Sequence, residues 1–452
     1  MMPELVSRTP GGRPANQGLE YPSRPSISGD GDKIAFASPA SDLVALDTND
    51  LEDVFVRARS EDTTRRAGEN AISPSLSADG NQLAYISAGA DGAYRLHLKD
   101  LRTGEVQPVV DDGQGHPFTW SNYPQLSGDG RVVLFEANTE QDPNRKKLVL
   151  YDRGDGRMEV LDEGSAPASA SVCGDGRRLA LATSRGPLKG LDTGGWSNIY
   201  VRDRQTGESK LITHSPRKTS SRAHKGQWAK ARGWSDHPAF SADGNWVAYD
   251  STADNLVPKD KNEHKDIFVT EVATEKTERV SVSDRGKEAN DDCFEASISA
   301  DGRFVSFESR ATNLTNDPVN GKKMNLFVRD RKMGRTYLAN RGPTGPEGDC
   351  RDASLSADGR WLTYTACADP DGPEEAWARH VYVVGNPASE HTQAVSLQAA
   401  LAQMGAGAIR RLQGAVQIGG VQLPIRLCTT ESHLPGNNDG NPWLAGRRTN
   451  LR

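Results

Sequence analysis

A four-residue signature, Ser-x-Asp-Gly, returns seven times along the chain, with its Asp at Asp30, Asp79, Asp129, Asp175, Asp243, Asp301 and Asp358. The steps between copies are 49, 50, 46, 68, 58 and 57 residues. Only the fourth copy departs, with Cys173 where the Ser should stand. Self-similarity at such a period restricts a chain to repeat architectures, in which each unit buries its apolar face against the next.

Each copy lies between two strand-like runs. A short one precedes it, as at 74–76 or 296–298, and an alternating one follows, as at 34–36, 247–249, 305–307 and 362–364. Alternation marks a pleated strand with two unlike faces. Asp-Gly between the runs is hairpin chemistry, because Gly accepts a positive φ and Asp bonds its own turn backbone. A third run follows a variable loop (54–56, 199–201, 267–269, 326–328, 381–383), then a turn such as 203–207, then a fourth run such as 210–212 or 278–281. Four antiparallel strands, repeated seven times, predict an all-β chain: a seven-bladed β-propeller of four-stranded antiparallel blades.

The chain ends supply a second line of argument. Residues 6–16 (V-S-R-T-P-G-G-R-P-A-N) repeat the spacing of residues 280–290 (V-S-V-S-D-R-G-K-E-A-N), which form a fourth strand and its exit loop. The chain therefore begins with the last strand of a blade, and residues 4–8 are expected to complete the seventh blade and close the ring. Closure removes sheet edges that invite aggregation. Residues 392–397 also read as a fourth strand, so either end is a candidate for closing the circle. The expected division is a propeller over 1–397 and a C-terminal extension over 398–452. That extension reads as a short helix (398–413, with Leu401, Met404, Ala408 and Leu412 on one side), an apolar run at 421–427 and a basic Gly/Asn/Pro-rich end.

These Ser-x-Asp-Gly hairpins, the third strands of the form [DN]-φ-[FY]-V and the Thr-Gly turns resemble TolB-type (WD-like) propeller repeats over about residues 4–397. The resemblance implies the propeller fold. It also brings to mind periplasmic binding scaffolds and the propellers attached to serine peptidases. The small α/β domain that precedes the propeller in TolB and a hydrolase domain are both absent from these 452 residues, so neither activity carries over whole.

Composition agrees. Only 35% of residues are hydrophobic, against 45 Gly and 25 Pro, which suits short strands joined by many turns. A net charge of −6 is mild for this length and makes nucleic acid an improbable partner for the whole surface. No run of 18 apolar residues predicts a membrane span. Residues 1–14 hold no apolar core of signal-peptide length, so the default expectation is cytoplasmic, although TolB-like relatives are often periplasmic. Five scattered cysteines (Cys173, Cys293, Cys350, Cys367, Cys428) show no zinc spacing and are expected as free thiols.

The first-to-second and third-to-fourth turns are uniformly tight, whereas the second-to-third loops and the connections between blades are long and irregular. Variable loops on a rigid scaffold are where binding residues gather, which selects the long-loop face. On it, Asp47, Asn49 and Asp53 share their spacing with Asp260, Asn262 and Asp266. Oxygen ligands so spaced suit calcium, while Asp and Asn equally serve turn bonds and strand caps. The longest connection carries Arg217, Lys218, Arg222, Lys225, Lys230 and Arg232, with Trp228 and Trp234 among them. Cations interleaved with indoles suit an acidic protein segment or a phosphate. Ser235, Asp236 and His237 are adjacent, yet neighbours on a strand point to opposite faces and make no triad. The function these features favour is a non-enzymatic scaffold that binds a protein partner through its long-loop face, with the tail as a second attachment point that docks into a larger assembly; the alternative is a hydrolase or lyase at the channel mouth.

Overall fold

The fold was analysed in a computed structural model, which describes residues 2–19, 24–49, 51–161, 169–184, 195–218, 228–342, 345–346, 349–367, 379–389, 416–418 and 421–423. The chain divides into two compact units, Met1–Gln393 and Ala394–Arg452. The first unit is a seven-bladed propeller of four-stranded antiparallel sheets. Blades 1 to 6 are meanders whose first, innermost strands are Ser26–Ile27, Ala71–Leu76, Phe118–Leu126, Ser169–Val172, Ser235–Phe240 and Cys293–Ile298. Blade 7 takes Cys350–Leu355, Trp361–Cys367 and Arg379–Gly385 from one end of the chain and Glu4–Leu5 from the other.

The repeated signature works as a self-contained turn. Ser28 donates its hydroxyl to Asp30 at 2.7 Å and accepts the Lys33 N–H at 2.9 Å, and Asp30 accepts the Asp32 N–H. The other five serine copies repeat this pattern. Cys173 repeats it too: its thiol donates to Asp175 at 2.9 Å and accepts the Arg178 N–H at 3.0 Å. A thiol can therefore replace the hydroxyl here without loss of the turn. Gly31 follows at φ 77°, and a Cβ there would sit 2.2 Å from Trp361 of the neighbouring blade.

The second signature position is always Gly or Ala, for a reason that operates between blades. Gly29 donates its N–H to Ala78, Ala78 to Gly128, Asp129 to Gly174, Gly174 to Ala242, Asp243 to Ala300, Ala300 to Ala357, and Asp358 back to Gly29. These bonds pass once around the axis. A Cβ on Gly174 would lie 2.7 Å from the Ala242 carbonyl oxygen, so larger residues would force the turns apart.

Alternation places one aromatic from the second strand opposite one from the third. Phe36–Phe55, Tyr249–Phe268, Phe307–Phe327 and Tyr364–Tyr382 stack at centroid separations of 5.7–6.0 Å, each pair in direct register. Such cross-strand pairs bind each sheet and fill the space between neighbouring blades.

The N-terminal segment closes the ring. Glu4 and Leu5 pair with Val383 and Tyr382. The equivalence with residues 280–290 holds at the level of single bonds. The bridge Arg8–Pro14 matches Val282–Glu288, and the bond from Thr9 N–H to the Arg13 carbonyl matches that from Ser283 to Lys287. Residues 392–397 and the expected helix at 398–413 lie outside the described residues. In the second unit the described residues form one hairpin, Val416–Ile418 with Val421–Leu423, which contains the start of the expected apolar run. Cys173, Cys293, Cys350 and Cys367 are buried thiols outside any disulfide; Cys428 lies outside the described residues.

Candidate functional site

The first strands enter the channel from the long-loop face, and most of them are irregular at one place. Four residues before the signature Ser, a non-glycine residue adopts positive φ in five blades: Ser73 (54°), Tyr123 (49°), His237 (50°), Glu295 (52°) and Asp352 (59°). Each sits inside a break in register with the second strand, as between Asp236 and Ala239 or Arg351 and Ser354. Pro74, Pro124 and Pro238 follow three of them, and a residue with no N–H suits a position where the ladder is interrupted. The left-handed conformation costs each such residue about 1 kcal/mol. Bulges re-aim side chains, and these act at the mouth of the channel.

Blades 5, 6, 7 and 1 join there in one charged network. His237 Nδ1 lies 2.8 Å from buried Asp250, and Lys265 donates to the other oxygen of Asp250 at 3.1 Å. His237 Nε2 faces Glu295 at 3.5 Å, and Arg24 approaches Glu295 from blade 1 at 3.8 Å. Arg24 also donates from Nε to the Ala353 carbonyl at 3.0 Å, while the Ala353 N–H donates to Glu308 at 3.2 Å. The Asp250 hydrogen bond, opposed by burial and aided by the charges of Asp250 and Glu295, lifts His237 to about 9. Burial, reinforced by the charges of Asp352 and Glu295, lifts Glu308 to about 8, so its carboxyl holds a proton at neutral pH. Ser235 takes no part: its hydroxyl is buried against Ser251 at 2.9 Å.

Farther out on the same face, Trp196 and Trp234 meet edge to face at 5.3 Å. They are 39% and 46% exposed, unusual for indoles that touch each other. Trp196 ends the second-to-third loop of blade 4, and Trp234 ends the connection into blade 5; the Ser235 N–H holds them together by donating to Ser197. That connection contains a hairpin, His214–Lys218 with Trp228–Lys230, which places Arg217, Lys218, Trp228 and Lys230 on its two strands. The side chains of those four, and Arg222 and Lys225 altogether, lie outside the described residues. Arg232 is described, and both ends of its guanidinium meet Asp254. Residues 214–234 hold six Lys and Arg and no Asp or Glu.

The two acidic loops share an arrangement. Asp53 accepts from Asn49 at 3.2 Å and from Arg66 at 3.0 Å, with Asp47 at 3.5 Å from the same guanidinium. Asp266 accepts from Asn262 at 3.0 Å and from Arg279 at 2.9 Å; Arg279 also holds Asp260 at 2.9 Å and pairs with Glu288. In each loop an arginine from the fourth strand stands among the oxygens. Among the described residues, no group of three His, Cys, Asp or Glu side chains converges as a metal site.

Sequence reasoning had selected the basic connection and the acidic loops, but not Trp196, nor Arg24, Asp250, Glu295, Glu308 and Asp352. One available signal was the column four positions before each Ser. It reads Arg24, Ser73, Tyr123, Ser169, His237, Glu295, Asp352, polar throughout, where the signature itself is nearly invariant.

No protein-family model matches the chain, and no curated protein matches it in sequence. Solved structures do. The β-propeller domain of the Trilobed protease from Pyrococcus furiosus, described as having an open velcro topology, is 13% identical; the match covers 82% of this chain and 94% of that one, with a TM-score of 0.53. Oligogalacturonate lyase from Vibrio parahaemolyticus is 14% identical over 82% of this chain and 91% of that one, at 0.51. TolB from Acinetobacter baumannii is 14% identical over 80% and 65%, at 0.39. Identities this low speak to architecture alone. What this chain shares with the first two is the propeller fold, here with its ring closed by the N-terminal strand.

Proposed function

We propose that the protein is a non-enzymatic binding scaffold whose long-loop face recognises an acidic segment of a protein partner. The observation that carries this reading is the exposed Trp196–Trp234 pair beside a connection of six cations without a single acid. Tryptophans on rigid backbone are the residues on which interface energy concentrates, and unbalanced charge around them steers an oppositely charged partner.

An array of acidic 15-residue peptides tests it. Bound peptides are expected to lose affinity about thirtyfold or more with Trp196→Ala/Trp234→Ala, a loss of roughly 2 kcal/mol or more. Exchanging Arg217, Lys218, Arg222, Lys225, Lys230 and Arg232 for Gln should slow association and flatten its salt dependence. Equal binding by the tryptophan variant, or no acidic peptide bound, would overturn the reading. The alternative, a hydrolase or lyase at the mouth, draws on the His237–Asp250 pair and the protonated Glu308. Turnover of a glycan or peptide that His237→Ala abolishes would put it first.

For the acidic loops we infer that Arg66 and Arg279 supply the positive charge that the spacing invites. Melting temperature should then be the same in calcium and in chelator, because a ligand specific for the folded state would raise it. A calcium-dependent rise would restore the metal reading for Asp47, Asn49, Asp53, Asp260, Asn262 and Asp266.

A further inference from the structure

We propose that the junction between the N-terminal strand and blade 1 binds a phosphate group, which takes the place of the Asp62 carboxylate between Arg8 and Arg57. The site lies at the third-to-fourth turn of blade 1, between Asp53–Ala58 and Thr63–Gly68, and uses none of the residues of the partner surface.

The chain carries its own control for this junction, because blade 6 meets the end of blade 5 as blade 1 meets the N-terminal segment. Arg331 pairs with Glu278 at 2.6 Å and lies over Trp246 at 3.9 Å; Arg59 pairs with Glu4 at 3.1 Å and lies over Trp361 at 3.9 Å. Arg329 and Arg57 each donate to a threonine hydroxyl of the fourth strand, Thr336 and Thr64, at 3.1 Å. Three differences bear on that arginine. Where the blade 5–6 junction has Val282, Asp284 and Gly334, the N-terminal junction has Arg8, Pro10 and Asp62. Arg329 donates to the Val282 and Ser283 carbonyls at 3.4 Å, and the charge of Asp284 supports it.

Around Arg57 that balance is lost. Arg57 is 3% exposed, and Arg8 brings a second guanidinium beside it. Both donate from Nη2 to the same Asp62 oxygen, Arg8 at 2.6 Å. Glu4 is taken by Arg59 and lies 3.8 Å from Arg8. Three guanidiniums thus share two carboxylates. The Nε of Arg8 and the Nε of Arg57 are both shut off from solvent, and neither has an acceptor among the described residues. A buried donor without an acceptor costs stability, and a ligand that supplies the acceptor recovers that cost on binding. Nε and Nη2 lie along one edge of a guanidinium, so an anion that satisfies both needs two oxygens for each arginine. Asp62 gives one oxygen to the pair, whereas a phosphate, tetrahedral and doubly charged, has oxygens for both edges. Asp62 is also the member able to move: its side chain is 69% exposed, on a turn, at a φ of 55°. A phosphate in its place would tie Arg8 of the closing strand to Arg57 of blade 1.

Isothermal titration of the whole protein at neutral pH with inorganic phosphate and with methyl phosphate, against acetate, tests the proposal. Phosphate is expected to bind and acetate not; methyl phosphate binds as well if the site takes a monoester, and fails to bind if it takes only the free ion. Phosphate should also raise the melting temperature, because it binds the closed ring. Arg8→Val copies the residue of the blade 5–6 junction, so it should fold; it should weaken phosphate binding about tenfold or more and remove the rise in melting temperature. Asp62→Gly copies Gly334, which has a φ of 65°, and should tighten binding by removing the internal competitor. Arg65→Gln, on the same hairpin but 77% exposed and paired with Glu61, should leave binding unchanged, as should Trp196→Ala/Trp234→Ala. The proposal is overturned by no heat with phosphate at millimolar concentration, by equal binding of acetate, by undiminished binding in Arg8→Val, by an equal loss in Arg65→Gln, or by weaker binding in Asp62→Gly.

Discussion

Glu308→Gln is expected to stabilise the propeller, and to do so only above mildly acidic pH. The Glu308 carboxyl lies between the second strand of blade 6 and the bulge of blade 7, 4% exposed, with a folded-state pKa of about 8. In the unfolded chain it titrates near the ordinary glutamate value of about 4.3. Below that value both states hold the proton and the group contributes no difference. As pH rises, the unfolded chain ionises and gains free energy while the folded chain does not, so stability falls until the folded carboxyl ionises as well. A gap between the two states of more than three pH units is worth on the order of 4–5 kcal/mol by pH 8. Gln has the same shape, still accepts the Ala353 N–H and has no such penalty. Denaturation of the two proteins should therefore coincide near pH 4, and the variant should be the more stable by several kcal/mol at pH 8. Parallel profiles across that range would show that Glu308 does not hold its proton in the fold.

Cost in one place gives this prediction a functional meaning. The mouth combines a buried carboxyl with five left-handed residues, three of them charged or titratable in the same network. A chain selected for stability alone would replace such features with ordinary strand residues, and functional sites are where local rules are broken.

The same features explain why the fold was legible and the mouth was not. Everything the signature needs lies within six residues: Ser28 bonds Asp30 two positions on and the Lys33 N–H five positions on. Local chemistry repeated seven times reads directly from sequence, as does the matching of residues 6–16 with 280–290. The mouth is built from distant partners instead. Glu308 meets Ala353 45 residues away, and Arg24 meets Ala353 across 329. The bulges then break the alternation used to decide which way a side chain points, so His237 reaches Asp250 although strand logic sets its neighbours apart. In the acidic loops the oxygens were seen but not their cation. Arg66 follows Asp53 by 13 residues and Arg279 follows Asp266 by 13, because in both blades it returns on the fourth strand.

Removing residues 1–8 is expected to open the ring and to make the protein associate through the edge it exposes. The segment pairs Glu4 and Leu5 with Val383 and Tyr382, donates the Val6 N–H to Val381 at 2.8 Å and accepts the Val381 N–H on Ser7 at 3.0 Å. Glu4 receives Arg59 of blade 1 at 3.1 Å. Val6 is fully buried in the cluster of Phe36, Phe55, Val381 and Val383 that joins blade 7 to blade 1. Losing a buried valine costs about 2 kcal/mol, and each backbone hydrogen bond exchanged for one to water adds about 0.5–1.5 kcal/mol. Together these approach the whole stability of an ordinary domain, roughly 5–15 kcal/mol. The strand Arg379–Gly385 would become a free edge, and its alternating Val381, Val383 and neighbouring Tyr382 would be open to pairing with another chain. The truncated protein should melt well below the full chain and scatter light at concentrations where the full chain does not. A peptide of residues 1–10 added in trans should reverse both effects by occupying the vacant edge. If the truncated protein melts within a degree or two of the full chain and scatters no more light than it does, the N-terminal strand is not what holds the ring shut.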